Sequence, residues 1–174
     1  MSDRQEPSDH FSRFGLPQRF AVDEQLLTKR YYDLQWQNHP DRFVNATDEQ
    51  QQWAVQQAAA INQAFHTLKD PLRRAEYLLM LQGLGDQEEH RHHDTAFLME
   101  QLALGEALAT ATDQAVIAEL AARIAALNND YYQRLIDCLE NAAWKQAAES
   151  LSQLKFLAKH QQQLLQLELA DPTR

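Results

Sequence analysis

The tripeptide His39-Pro40-Asp41 separates two amphipathic stretches, Asp23 to Asn38 and Asp48 to Leu68. No other feature constrains the fold as much. A proline disfavours helical geometry in the residue before it, so one helix ends at His39. A second helix follows after a short polar segment, which makes the pair an antiparallel hairpin. Gly or Asn is the commoner way to end a helix. An imidazole and a carboxylate held two residues apart on a short tether therefore mark the turn as a candidate for recognition.

The rest of the chain reads as helix. It has only four Gly and five Pro in 174 residues, with much Ala, Leu and Gln, a composition that favours helices throughout. Gly15-Leu16-Pro17 closes a short first helix around His10 to Phe14. Asp23 caps the next, with Leu27, Tyr31 and Leu34 on one face at i, i+4 and i+7. Thr47 with Gln50 resembles a capping box, and Ala58, Ile61, Phe65 and Leu68 form the stripe that follows. Asp70-Pro71 breaks the chain again, and Pro71 suits the first position of a helix running to about Gln82. Gly83-Leu84-Gly85-Asp86 and the charged residues to His93 read as a linker.

Beyond it the spacing predicts three longer helices. The first spans about Asp94 to Ala109. The second spans about Gln114 to Leu139, with Ile117, Leu120, Ile124, Leu127, Tyr131, Leu135 and Cys138 as its stripe. Asn141 is expected to cap the third, which turns Trp144, Ala147, Leu151, Leu154 and Ala158 inward and ends near Leu169. Short connections imply an antiparallel bundle.

Charge and composition exclude several functions. The net charge is −9, with 9 basic and 11 acidic side chains in residues 1–82 and 7 basic and 14 acidic in residues 83–174. Such a balance argues against general nucleic-acid binding, which relies on neutralising phosphates; it fits ordinary solubility or a basic partner. No apolar run approaches the ~18 residues of a membrane helix. Met1 to Asp9 has the character of neither a signal peptide nor a transit peptide. Cys138 is alone, so an internal disulfide and a cysteine zinc cluster are excluded. The expected location is the cytoplasm.

The hairpin motif is followed by Ile61-Asn62-Gln63-Ala64-Phe65, Leu68-Lys69-Asp70-Pro71 and Arg74-Ala75-Glu76-Tyr77. In that order and at those separations the motifs resemble a J-domain. Asp94-Thr95-Ala96-Phe97-Leu98-Met99-Glu100-Gln101-Leu102 resembles the start of the C-terminal bundle of the HscB family, the J-domain co-chaperones of iron–sulfur cluster assembly. The resemblance extends from about His10 to Leu169. It is to the bacterial members, since the cysteine-rich extension and targeting peptide of eukaryotic ones have no counterpart here.

The resemblance implies an all-α protein with a J-domain over 10–82, a linker over 83–93 and a three-helix bundle over 94–169. It implies an adaptor that catalyses nothing and needs no cofactor. The J-domain would stimulate ATP hydrolysis by the DnaK-class chaperone HscA, and the bundle would deliver the scaffold protein IscU. His39 and Asp41 would be the polar contacts to the chaperone, with Pro40 fixing their presentation. Lys29, Arg30 and Arg42 would supply a thin basic face, because Trp36 and Asn38 stand where a basic residue and a tyrosine are common.

Helical geometry makes a separate argument for the bundle. At ~100° per residue, Phe97, Leu104 and Leu108 fall on one side of their helix, and Leu98, Met99, Leu102 and Glu106 on the other. The same arithmetic turns Phe156 away from Leu151, Leu154 and Ala158. A helix apolar on two sides needs two partners: its own bundle, and either the J-domain or another protein. The resemblance favours a scaffold-binding patch of Leu98, Met99, Leu102, Glu106 and Phe156. Ala103 and Thr110 stand where the family carries further acidic residues, so the patch leans on apolar contact.

Other readings compete. His90, His92, His93 and Asp94 have metal-ligating side chains, but they lack helical i, i+4 pairing and a nucleophile nearby, so a solvated linker is expected there and no metal. A general J-protein delivering unfolded clients is an alternative, although the chain lacks a Gly/Phe-rich segment and Cys-x-x-Cys repeats. A DNA-binding helix-turn-helix is opposed by the acidity.

Overall fold

The structure is a computed structural model that describes residues 9–85 and 95–170. Among them are seven α-helices and one 3-10 turn, and no strand. The helices are α1 (His10–Arg13), α2 (Glu24–Asn38), α3 (Asp48–Lys69), α4 (Pro71–Leu81), α5 (Thr95–Thr110), α6 (Gln114–Glu140) and α7 (Trp144–Ala170). The 3-10 turn, Pro40–Phe43, joins α2 to α3. The chain divides into two compact units, residues 1–78 and 79–174, and the division falls within α4.

In the first unit the expected caps form. The Asp23 carboxylate accepts from the Leu26 amide at 2.9 Å. Thr47 and Gln50 cap each other reciprocally, at 3.2 and 3.4 Å. The Asp70 carboxylate accepts from the Arg73 amide ahead of α4. At Gly15, φ is +58°, which lets the Leu16 amide close on the Phe11 carbonyl at 2.9 Å. The α2–α3 pair is antiparallel: Tyr31 stacks on Phe65 with ring centroids 4.0 Å apart, while Gln35, one turn on, bonds Asn62. Buried Leu27, Ile61, Ala64, Phe65 and Leu68 lie along the pair, with Phe11 of α1 and Phe14 at its end also buried. On α3, Ala54 and Ala64 are buried and Ala58 only half so.

In the second unit α6 and α7 pack along each other and α5 lies on both. Phe97 of α5 meets Tyr131 of α6 and Phe156 of α7 edge-on, at 6.1 and 5.8 Å. Buried Phe97, Leu104, Leu108, Ile117, Leu120, Ile124, Tyr131, Leu135, Leu151, Leu154, Leu157 and Leu164 form its core.

Three expectations are corrected here. Asn141 does not cap α7: its amide and side chain both donate back to the Asp137 carbonyl, closing α6. The reason is Ala142, whose φ of 55° reverses the chain so that the Ala143 amide reaches the Cys138 carbonyl. On α7, Leu157 is buried and Ala158 exposed, so the inward stripe runs Leu151, Leu154, Leu157, Leu164. On α6, Leu139 is buried and Cys138 only half-buried, and burial raises the thiol's pKa, with Asp137 and Glu149 adding to it.

Candidate functional site

The first candidate surface is the end of the α2–α3 hairpin. His39 leaves α2 in extended geometry, at φ −62° and ψ 129°, as the proline after it demands. Pro40 then opens the 3-10 turn, whose first bond runs from the Arg42 amide to the His39 carbonyl at 3.0 Å. His39 is not free of structural work. Its Nδ1 accepts from the Asp41 amide at 3.3 Å, which requires the ring proton on Nε2. The Asp41 carboxylate also lies 3.5 Å from the same Nδ1. The Asp41 side chain is 84 % exposed, a carboxylate on the turn that is suited to a cationic group on another molecule.

The expected basic face comprises Lys29, Arg30 and Arg42. Lys29 is exposed. Arg30 is half-buried, and its Nη1 donates to the Phe14 and Gly15 carbonyls, tying α2 to the end of α1. A Cβ on Gly15 would come within 3.0 Å of that nitrogen. Arg42 is exposed, with its guanidinium folded back over the Trp36 ring, 5.5 Å from the centroid.

The second candidate surface is the outer face of α5. Leu98, Met99 and Leu102 are 46 %, 63 % and 58 % exposed, and Glu106 is exposed beside them. The opposite face carries buried Phe97, Gln101, Leu104 and Leu108. The helix is thus apolar on both sides. Phe156 is half-buried, with its edge contact to Phe97 inside the bundle and Lys159 Nζ 5.2 Å above its ring. Glu100 pairs with Arg123 at 3.2 Å and is committed to the bundle.

Sequence reading missed Arg74, which is 4 % exposed. It donates to the Leu68 and Phe20 carbonyls, each at 2.7 Å, and to Lys69 at 3.4 Å. Its motif, Arg74-Ala75-Glu76-Tyr77, is therefore structural: Arg74 satisfies the last carbonyls of α3 and ties down the segment before α2. Tyr77 does the same for α1, its hydroxyl accepting from the His10 amide at 2.9 Å.

The cluster His90, His92, His93 and Asp94 lies outside the described residues. Among those described, no group of acidic, His or Cys side chains is arranged to hold a metal ion, and no helix is long and apolar enough to cross a membrane.

Comparison with known proteins follows the same division. Residues 93–165 match the family model described as the HSCB C-terminal oligomerisation domain. The solved chaperone HscB from Vibrio cholerae is 41 % identical, superposes with a TM-score of 0.84, and aligns over 92 % of this chain and 98 % of its own. The chain belongs to the HscB family. The human co-chaperone protein HscB superposes equally well, with a TM-score of 0.84 at 26 % identity over 95 % of this chain and 84 % of its own. The Jac1 co-chaperone of Saccharomyces cerevisiae shares the fold at 22 % identity, with a TM-score of 0.70 over 96 % of this chain and 99 % of its own. The family is one of J-type co-chaperones, which places the His39-Pro40-Asp41 hairpin and the α5–α7 bundle in one protein of that class.

Proposed function

We propose that this HscB-family chain is a non-enzymatic adaptor of iron–sulfur cluster assembly in the cytoplasm. Residues 10–82 act as the J-domain that stimulates ATP hydrolysis by HscA. Residues 94–169 form the bundle that binds IscU and brings it to that chaperone. The protein carries no cofactor and binds neither nucleic acid nor membrane. The observation that supports the reading is the presence of two unlike exposed surfaces, one on each unit. The carboxylate of Asp41 is held out on a turn fixed by Pro40 and His39. The outer face of α5 presents three large apolar side chains that its own core does not use.

Each surface suits one partner. Asp41 and Lys29 offer charge-assisted contacts to a chaperone, in which a carboxylate paired with Arg is the strong form. Leu98, Met99 and Leu102, rimmed by Glu106, offer an apolar centre, and Met adapts its shape to what it meets. Phe156 joins at the rim through its exposed part.

Two titrations test the reading. His39→Gln removes both the Nδ1 acceptor and the imidazole, and it is expected to abolish stimulation of HscA; stimulation equal to that of the unsubstituted chain overturns the assignment. Leu98→Ala, Met99→Ala and Phe156→Ala together are expected to weaken IscU binding by roughly a hundredfold while basal J-domain stimulation remains. Because Phe156 touches Phe97, the companion triple with Leu102→Ala in place of Phe156→Ala spares the bundle core. Unchanged affinity in both triples removes the patch from the scaffold interface. Suppression of aggregation of a denatured model protein, without IscU binding, would favour a general J-protein delivering unfolded clients.

A second reading has its own support, since the matched family model is described as an oligomerisation domain. The same α5 face fits a second copy of the chain. A dimer in sedimentation that the Leu98, Met99 and Leu102 triple converts to monomer would move the face from scaffold binding to self-association.

A further inference from the structure

The carboxyl end of α2 contains a defect written into its own sequence. In an α-helix the carbonyl of residue 36 accepts from the amide of residue 40. Here residue 40 is Pro40, which has no N–H. The Trp36 carbonyl therefore has no backbone donor in that register. Its donor is Arg42 Nη1, which reaches back from the far side of the turn to 3.4 Å. The same guanidinium covers the Trp36 indole at 5.5 Å, the distance and partner of a cation–π contact. A cation at this end of a helix is favoured by the macrodipole as well. One side chain thus closes the seven-residue segment from Trp36 to Arg42 through a hydrogen bond and a cation–π contact to one residue.

The indole is 73 % exposed, so it is not there to fill a core. What the pair does enclose is the turn. His39 and Asp41 lie between its two members in sequence, and the Asn38 side chain supports the same helix end by donating to the Leu34 carbonyl at 2.8 Å. Among the described residues, the Asp41 side chain contacts only His39. The direction of its carboxylate is set by the backbone that Arg42 ties to α2.

We propose that Trp36 and Arg42 form a clamp that fixes the angle at which α2 presents His39 and Asp41, making Trp36 a positioning residue for the chaperone contact. The inference rests on the chaperone-binding reading of the turn. A recognition turn held in its bound geometry loses less conformational freedom on docking, so the clamp acts on affinity and leaves the maximal stimulated rate alone.

The test is a titration of HscA ATPase with full-length variants whose melting temperatures match that of the unsubstituted chain. Trp36→Ala and Arg42→Ala are each expected to raise the half-maximal concentration about two- to fivefold, the range of one exposed cation–π contact, with the maximal rate unchanged. The double variant is expected to be no worse than the worse single, because the two residues act as one unit. Trp36→Phe, which keeps a ring under the guanidinium, recovers most of the loss. Additive effects would mean that each side chain meets the chaperone on its own, and either that result or an unchanged half-maximal concentration overturns the clamp. Asp41→Asn judges the underlying reading separately: stimulation equal to that of the unsubstituted chain would refute the chaperone contact itself. The clamp then still stands or falls on NMR. The Arg42 δ-methylene protons should show an upfield ring-current shift that Trp36→Ala removes, and its absence from the unsubstituted chain overturns the proposal.

Discussion

His10 sits where one side chain reports on the whole first unit. Its ring stacks on Tyr77 at 4.2 Å with an interplanar angle of 12°, and its amide is bonded to the Tyr77 hydroxyl. Burial lowers its pKa below the ordinary 6.5, the Arg13 guanidinium lowers it further, and the Asp9 carboxylate opposes both. The fold therefore favours the neutral ring, while the unfolded chain takes up a proton at higher pH. This stabilising contribution is complete above the unfolded value and is lost as the pH falls through 6.5 toward the depressed folded value. His10→Phe keeps the stack and removes the proton. The variant should lose less stability than the unsubstituted chain between about pH 7 and pH 5, measured by urea unfolding. An identical pH profile would show that His10 does not titrate against the fold. At this scale the sequence was legible only where a residue's job is local. Asp23, Thr47 and Pro71 announce themselves because a cap is satisfied within three or four positions. Arg74 and Arg30 do not, because their acceptors, Phe20 and Phe14, lie 54 and 16 positions away. Nothing in an Arg-Ala-Glu-Tyr string distinguishes a buried guanidinium from a solvated one.

Among the helices, length and order followed from periodicity, and phase did so where one stripe dominated. The α5 spacing placed Phe97, Leu104 and Leu108 opposite Leu98, Met99 and Leu102, as the burial pattern has it. It said nothing of Gln101, which shares the buried face at 6 % exposure. Neither polar atom of its amide has a hydrogen-bond partner among the described residues. Gln101→Met keeps the length and removes the unsatisfied groups. It should raise bundle stability by about 1–3 kcal/mol, the desolvation penalty of a buried amide, as judged by chemical denaturation. A loss instead would show that the amide has a partner in solution. Phase failed on α7, where the choice of Leu157 or Ala158 depends on how the helix is rotated against α5 and α6, a fact of tertiary packing. Between α6 and α7, the misread Asn141 followed from the turn chemistry of Ala142. A left-handed Ala costs about 1–2 kcal/mol, so a helix end was hard to foresee at that residue. Ala142→Gly relieves the strain while freeing the unfolded chain. A net gain of about 0.5–1 kcal/mol is expected, seen as a higher midpoint in thermal unfolding.

For the whole molecule, the order of motifs was the most legible property, because each motif is a local string and their succession needs no three-dimensional information. The two exposed surfaces were legible unequally. The turn was visible as a tripeptide, but its reliance on Arg42 and Trp36 depends on a side chain folding back across six residues. Charge distinguishes the surfaces further. Residues 83–174 carry 7 basic and 14 acidic side chains, yet the apolar α5 face has Glu106 as its single acidic member, and Glu100 on the same helix is already paired with Arg123. The acidity of this half therefore acts at a distance, on encounter, where salt screens it within a Debye length of about 10 Å at 0.1 M. In the proposed scaffold complex the bound state rests on Leu98, Met99 and Leu102, whose burial salt hardly alters. Charges that only steer change the association rate, and desolvated pairs change the dissociation rate. Raising NaCl from about 0.05 M to about 0.5 M should leave the IscU dissociation rate within about fivefold, because a single exposed pair at Glu106 contributes at most about 1 kcal/mol. Stopped-flow displacement from labelled IscU measures it directly. A dissociation rate that climbs tenfold with salt would place several charge pairs inside the interface and move the scaffold contact off the apolar face of α5.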